Sequence, residues 1–192
     1  MKDEPKTIRH MNIILVGFMG TGKSAVGKRL ADKLQVRFID MDKILEARAG
    51  KPINRIFTED GEARFRTMER ELARELSQEQ HLVIATGGGI VLNPDNISDF
   101  SQSGLVVCLS ATPDEILRRV KNSTHRPLLN QPDPAAAIRN LLAKRQPLYD
   151  AIPCQVDTTG KTAGAVAQEV LDKIQNSKTQ IPNSAAKQKN SK

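Results

Sequence analysis

The chain has no tryptophan, one tyrosine, two cysteines and three histidines among 192 residues. Cys108 and Cys154 supply neither a disulfide framework nor a metal-ligand spacing. Cys108 falls inside the apolar run 105–109 and reads as a buried thiol in a reducing compartment. With Tyr149 the sole tyrosine, nucleobases would find few stacking platforms. No stretch approaches the roughly 20 apolar residues that span a membrane. The first ten residues are charged and lack an apolar signal region. A cytoplasmic location is expected, with no membrane partner. The net charge of +7 is unevenly placed: residues 175–192 hold four lysines and no acid, residues 1–10 add one net positive charge, and the body keeps +2. Such a basic, low-complexity tail reads as a solvated end, and no nucleic-acid partner is expected. Apolar residues at 39% and charged residues at 27% suit one soluble domain with a sizeable core.

Strand and helix signals alternate along that body. Asn12-Ile13-Ile14-Leu15-Val16 reads as a buried strand, and from Ser24 a helix carries Val26, Leu30 and Leu34 on one face. Arg37-Phe38-Ile39 is a second strand ending at Asp40. After Asp60-Gly61 a longer helix aligns Phe65, Met68, Leu72 and Leu76. Residues 82–85 form a third strand, stopped by Thr86-Gly87-Gly88-Gly89, and residues 105–109 a fourth. Thr112-Pro113-Asp114-Glu115 supplies a cap, a proline at the first helical position and a glutamate at the third, starting a helix through Val120. The polar, proline-bracketed segment 121–133 reads as a loop. Residues 134–145 regain helical spacing, 154–156 form a fifth short strand, and Val166, Val170 and Ile174 mark a last helix. This order predicts an α/β fold, a parallel sheet with helices on both faces. Ligands of such sheets sit beyond the carboxyl ends of the strands, where each chemically suggestive segment falls.

Gly17-Phe18-Met19-Gly20-Thr21-Gly22-Lys23-Ser24 is a complete P-loop signature between a strand and a helix. Its glycines let backbone amides wrap a polyphosphate, and the helix end adds its positive dipole. Lys23 would bridge the β- and γ-phosphates and Ser24 would ligate Mg²⁺, so ATP and Mg²⁺ are the expected nucleotide and metal. The loop leaves the phosphoryl acceptor open. The third strand ends without a carboxylate; the nearest acids at a strand end are Asp40 and Asp42. They could divide the metal and the acceptor hydroxyl between them, or Asp42 could cap a helix over 43–49. Arg66 by itself reads equally as a solvated helix-face residue, and Arg145 as a complement to a helix C-terminus. His125 reads as a surface residue of the loop.

The P-loop at 17–24, Asp40-x-Asp42, Gly61-Glu62-x2-Phe65-Arg66-x2-Glu69, Gly87-Gly88-Gly89, Arg126-Pro127-Leu128 and Arg145-x-Pro147-x-Tyr149 occur in that order. Together they resemble shikimate kinases over about residues 12–174. The resemblance implies a nucleoside-monophosphate-kinase-like P-loop fold, its five-stranded parallel sheet ordered 2-3-1-4-5. It implies transfer of the ATP γ-phosphoryl group to the 3-hydroxyl of shikimate, on the route to chorismate and the aromatic amino acids. By motif, Lys23, Asp42 and Arg126 would be catalytic. Gly20, Thr21, Gly22, Lys23, Ser24, Ala25, Arg119 and Arg126 would bind the nucleotide, with Arg119 on adenine. Asp42, Arg66, Gly87, Gly88, Gly89 and Arg145 would bind shikimate, and Ser24 and Asp40 would serve the metal. Glu69 would orient Arg66. The organisation expected is an extension (1–10), a single kinase domain (11–174) with a lid at about 121–133, and the tail (175–192). A monomer is expected, since no apolar stripe stands out. Where some family members place a proline against adenine, this chain has Thr162-Ala163-Gly164. A kinase for another polyol acid such as gluconate, and a nucleotide-binding module without kinase activity, are the competing readings.

Overall fold

The computed structural model describes residues 11–121 and 133–177. Five parallel strands form one sheet in the order β2-β3-β1-β4-β5: β1 (Asn12–Val16), β2 (Arg37–Asp40), β3 (Leu82–Ala85), β4 (Gly104–Ser110) and β5 (Cys154–Asp157). The expected order and parallel sense are both present. β1 is central, with Ile14 in register with Ile84 of β3 and with Val106 of β4. All five of its residues are buried, as expected for a strand covered on both faces.

The alternation of side chains along β1 divides the core in two. Ile13 and Leu15 join Val83, Val107, Leu109 and Val156 on one face, covered by α1 (Lys23–Leu34) and α8 (Ala163–Ser177) through Val26, Leu30, Val166 and Val170. Ile14 and Val16 join Ile84, Val106 and Cys108 on the other. There the cover is α4 (Gly61–Ser77), α5 (Pro94–Ser103), α6 (Pro113–Val120) and α7 (Pro134–Asp150), through Phe65, Leu72, Phe100, Ile116 and Ile138. Burying one such side chain contributes about 1.5–3 kcal/mol, so the two layers dominate the fold's stability.

Local structure departs from the sequence reading at four places. α2 runs Met41–Ala49 and is capped by Asp40, whose carboxylate accepts from the Lys43 amide at 3.4 Å; Asp42 sits inside its first turn and is not the cap. α5 was not foreseen, although Asn93 accepts from the Asp95 amide at 3.0 Å and Pro94 follows it, the same start signal as at Thr112-Pro113. A short helix α3 (Ile53–Arg55) opens into a wide π-helical turn, Ile56–Asp60, closed by Gly61 at φ 84°. Such turns concentrate at functional sites. α7 continues five residues past Arg145 with Pro147 inside it. The proline removes one backbone donor, and Gln155 holds the last turn by donating to the carbonyls of Tyr149 and Ile152, both at 2.7 Å.

Candidate active site

The carboxyl ends of β1, β2 and β3 converge. Asp40 closes β2 beside Ala85, and the Thr86 amide and hydroxyl both donate to the Leu15 carbonyl, at 3.1 and 3.0 Å, which fixes the start of the glycine triplet against β1. Beyond β1 the chain enters the P-loop. Gly17, Gly20 and Gly22 have φ of 136°, 78° and 94°, a region that L side chains rarely adopt. A side chain at Gly17 would also overlap the Leu109 carbonyl. α1 starts at Lys23 behind a glycine N-cap, with no side-chain cap and no acid in its first turn, so its leading amides are left for an anion. Lys23 is 9% exposed and its Nζ donates to the carbonyls of Gly17 (2.7 Å) and Phe18 (2.9 Å); Thr21 Oγ1 donates to Phe18 at 2.8 Å. The ammonium is therefore held over the loop it would help to charge.

Ser24 Oγ donates to Asp40 Oδ2 at 2.7 Å. A hydroxyl and a carboxylate within hydrogen-bonding distance, at the rim of an anion site, are the hard oxygen donors that Mg²⁺ prefers while it keeps several waters. On the far side of the loop, Arg119 Nη1 donates to Gly20 O (3.2 Å) and Thr158 Oγ1 (2.9 Å), and Nη2 donates to Thr158 O (2.6 Å). Glu115 takes Arg119 Nε at 2.7 Å and both Arg118 donors, and these bonds, Arg118 first, bring its carboxyl down to about 2.

Opposite the P-loop, α4 presents Arg66. Its Nη1 donates to Glu69 Oε2 at 2.7 Å, its Nε and Nη2 reach Glu62 Oε1 at 3.2 and 3.0 Å, and its guanidinium lies 5.2 Å from the Phe65 ring centre and 5.9 Å from that of Phe57. Helical spacing explains this assembly: 62, 66 and 69 share a face at i, i+4 and i+7. Glu69 is 2% exposed, and its Oε1 alone among the buried side-chain polar atoms of the described residues has no hydrogen-bond partner. Burial pushes its carboxyl up, only partly offset by Arg66. Burial also works against the Arg66 charge, but attraction to Glu69 and the bonds to both glutamates leave it above its ordinary value.

The glycine triplet makes room for this cluster. A Cβ on Gly87 would sit 2.9 Å from Glu69 Oε1 and 3.0 Å from Asp42 Oδ1, and one on Gly89 would overlap the Arg66 guanidinium. Asp42, Glu69 and Arg66 thus face the same short stretch of backbone. These side chains occupy the space that the missing Cβ atoms leave. Arg145 Nη1 approaches Gly88 O at 3.5 Å, and Tyr149 Oη donates to the same oxygen at 2.6 Å. Of the site residues named from sequence, those of the P-loop, Asp40, Asp42, Arg66, the triplet, Arg119 and Arg145 all lie along the carboxyl edge of the sheet. Arg126, with residues 122–132 of the lid expected at about 121–133, lies outside the described residues. Glu62, Phe57 and Thr158 were not singled out; Glu62 stood within the Gly61-Glu62 motif, whereas no local signal marks Phe57 or Thr158.

A phosphate cradle with a hard-oxygen pair at its rim, facing a guanidinium fork and an adjacent carboxylate across one edge of a 2-3-1-4-5 sheet, defines a P-loop kinase for a small acceptor. The shikimate kinase family model matches residues 19–175. A shikimate kinase of Thermodesulfovibrio yellowstonii is 42% identical over 171 residues, covering 88% of this chain and 99% of that one. One of Desulforudis audaxviator is 48% identical over 161 residues, covering 82% and 85%. Among solved structures, the shikimate kinase of Acinetobacter baumannii in complex with shikimate superposes with a TM-score of 0.84 at 38% identity, covering 88% of this chain and 94% of that one. The chain belongs to the shikimate kinase family. A gluconokinase of Sinorhizobium meliloti, at 17% identity and a TM-score of 0.57, shares the fold alone.

Proposed function

We propose that this chain phosphorylates the 3-hydroxyl of shikimate with the γ-phosphoryl group of ATP through the site described above, yielding shikimate 3-phosphate and ADP. The observation that carries the acceptor assignment is the Arg66 fork, oriented by Glu69 at 2.7 Å beside the glycine triplet and within the same carboxyl-edge cluster as Asp42. A planar fork is the donor geometry that a carboxylate takes in bidentate fashion. Arg145 adds a second cation, and Gly88 and Gly89 add backbone polar groups for the ring hydroxyls.

Asp42 holds the acceptor hydroxyl and takes its proton as that oxygen bonds to the γ-phosphorus and the bond to the β-bridging oxygen breaks. Lys23 and the leading amides of α1 hold the β- and γ-phosphates and neutralise charge on them. Ser24 and Asp40 would hold Mg²⁺, which when bound supplies further charge neutralisation on those phosphates. Gly20, Thr21, Gly22 and Ala25 line the phosphates, Arg119 flanks the base, and Arg126 supplies a positive charge to the transferring group. The chain works as a cytoplasmic monomer. No helix among the described residues is long and apolar enough to cross a membrane.

Release of ADP from MgATP, followed with shikimate and with gluconate as acceptors, tests the assignment. Release that depends on shikimate is the expected result; release with gluconate alone would overturn the acceptor, and ATP binding without acceptor-dependent release would overturn the activity.

A further inference from the structure

Tyr149 is the only tyrosine in the chain and is 3% exposed. Its hydroxyl donates to the carbonyl of Gly88 at 2.6 Å, across 61 residues of sequence. Its own position is fixed from behind, because Gln155 of β5 donates to the Tyr149 carbonyl at 2.7 Å. Burial pushes the phenol up to about 12, so the hydroxyl keeps its proton, and remains a donor, throughout the working pH range. All peptide bonds of the described residues are trans, so the carbonyl of Gly88 and the amide of Gly89 point in opposite directions. Holding the Gly88 oxygen toward α7 therefore aims the Gly89 N–H away from α7, and the Arg66 guanidinium packs against the Cα of that same glycine. Glycine has no side chain to lock this peptide, and the plane of a glycine–glycine peptide is easily turned. The buried Tyr149 hydrogen bond, shorter than the 3.5 Å approach of Arg145 to the same oxygen, constrains the peptide from outside the triplet.

We infer that Tyr149 is a positioning residue for the acceptor subsite: by fixing the Gly88–Gly89 peptide it presents the Gly89 amide, beside the Arg66 fork, to the carboxylate or ring hydroxyls of the acceptor. This rests on Arg66 and the glycine triplet forming the acceptor site. Tyr149 touches no reacting atom.

Tyr149→Phe keeps the ring and removes the donor. The KM for shikimate is expected to rise about fivefold, the worth of one neutral hydrogen bond, with kcat and the KM for MgATP within about twofold of the parent. A KM for shikimate equal to the parent's, or an equal rise in both KM values, overturns the proposal. Arg66→Lys, measured alongside, separates the two levels. If it raises the KM for shikimate while Tyr149→Phe does not, the tyrosine's role alone is wrong; if Arg66→Lys is silent, the acceptor site is misassigned and the proposal falls with it. Should the Phe variant not fold, 3-fluorotyrosine labels this ring alone. Its ¹⁹F resonance is expected to shift on adding shikimate and not on adding MgADP, and a resonance indifferent to shikimate overturns the proposal.

Discussion

Asn12 and Glu69 are both buried polar side chains set against the same sheet, at opposite ends of it. Asn12, at the amino end of β1, is 0% exposed and satisfied on both sides: Nδ2 donates to Glu79 O at 2.7 Å and Oδ1 accepts the Leu82 amide at 3.0 Å. Glu69, at the carboxyl end, is nearly as buried, yet it holds a charge partner on one oxygen and nothing on the other. An orphaned buried acceptor costs about 1–3 kcal/mol, so a protein selected for stability alone would not keep one. The amino edge of this sheet is built to hold the strands, and the carboxyl edge holds polar groups in readiness for a ligand.

The contrast predicts that substitutions at one edge cut activity and at the other stability. The largest effect is expected at Asp42. Asp42→Asn should retain ATP binding and unfold at the parent temperature, while kcat falls on the order of 10³-fold, the usual worth of a general base. Transfer to shikimate at the parent rate would remove Asp42 from its role. Asn12→Ala should do the reverse. The Leu82 amide and the Glu79 carbonyl lose their partner, lowering stability by about 2–4 kcal/mol, with kcat per folded molecule unchanged. Urea unfolding at constant m-value checks it, and a parent-like midpoint would contradict it.

The smallest effect is a pH slope. The folded Glu69 carboxyl is held above its ordinary 4.5 by burial. Between that value and the raised one the folded chain binds more protons than the unfolded chain. Glu69 therefore subtracts stability as pH rises through that interval. Glu69→Gln has no proton to release, so this part of the dependence of Tm on pH should vanish in the variant. A slope equal to the parent's would mean that Glu69 does not titrate in the interval.

How much of this was readable beforehand follows from what kind of fact each feature is. The phosphate cradle was legible because left-handed glycines and a lysine are required at fixed local positions, and Gly17, Gly20 and Gly22 do adopt positive φ. The alternation of strands and helices was legible from periodicity, but their neighbours in the sheet were not: the 2-3-1-4-5 order came from the family resemblance and not from the residues. The Arg66–Glu69 pair follows from helical spacing. That Glu69 keeps one oxygen unpartnered, and that Gly87 lies between it and Asp42, depends on packing of α4, α2 and the β3 loop, which no local pattern encodes. The same holds for Tyr149, visible as a motif letter but not as a donor to a carbonyl 61 residues away. The continuation of α7 through Pro147 ran against the local signal because tertiary bonds from Gln155 outweigh one lost backbone donor.

Seven of the twelve glycines of the chain mark the two edges of the sheet, which makes their amide resonances the most direct test of the division between them. Gly87, Gly88 and Gly89 follow β3 at the carboxyl edge, Gly17, Gly20 and Gly22 form the P-loop, and Gly104 opens β4 against Asn12 at the amino edge. Titrated with shikimate, the triplet should shift; titrated with MgADP, the P-loop glycines should shift; Gly104 should stay in place in both. A silent triplet, or a Gly104 that moves with shikimate, would contradict the account.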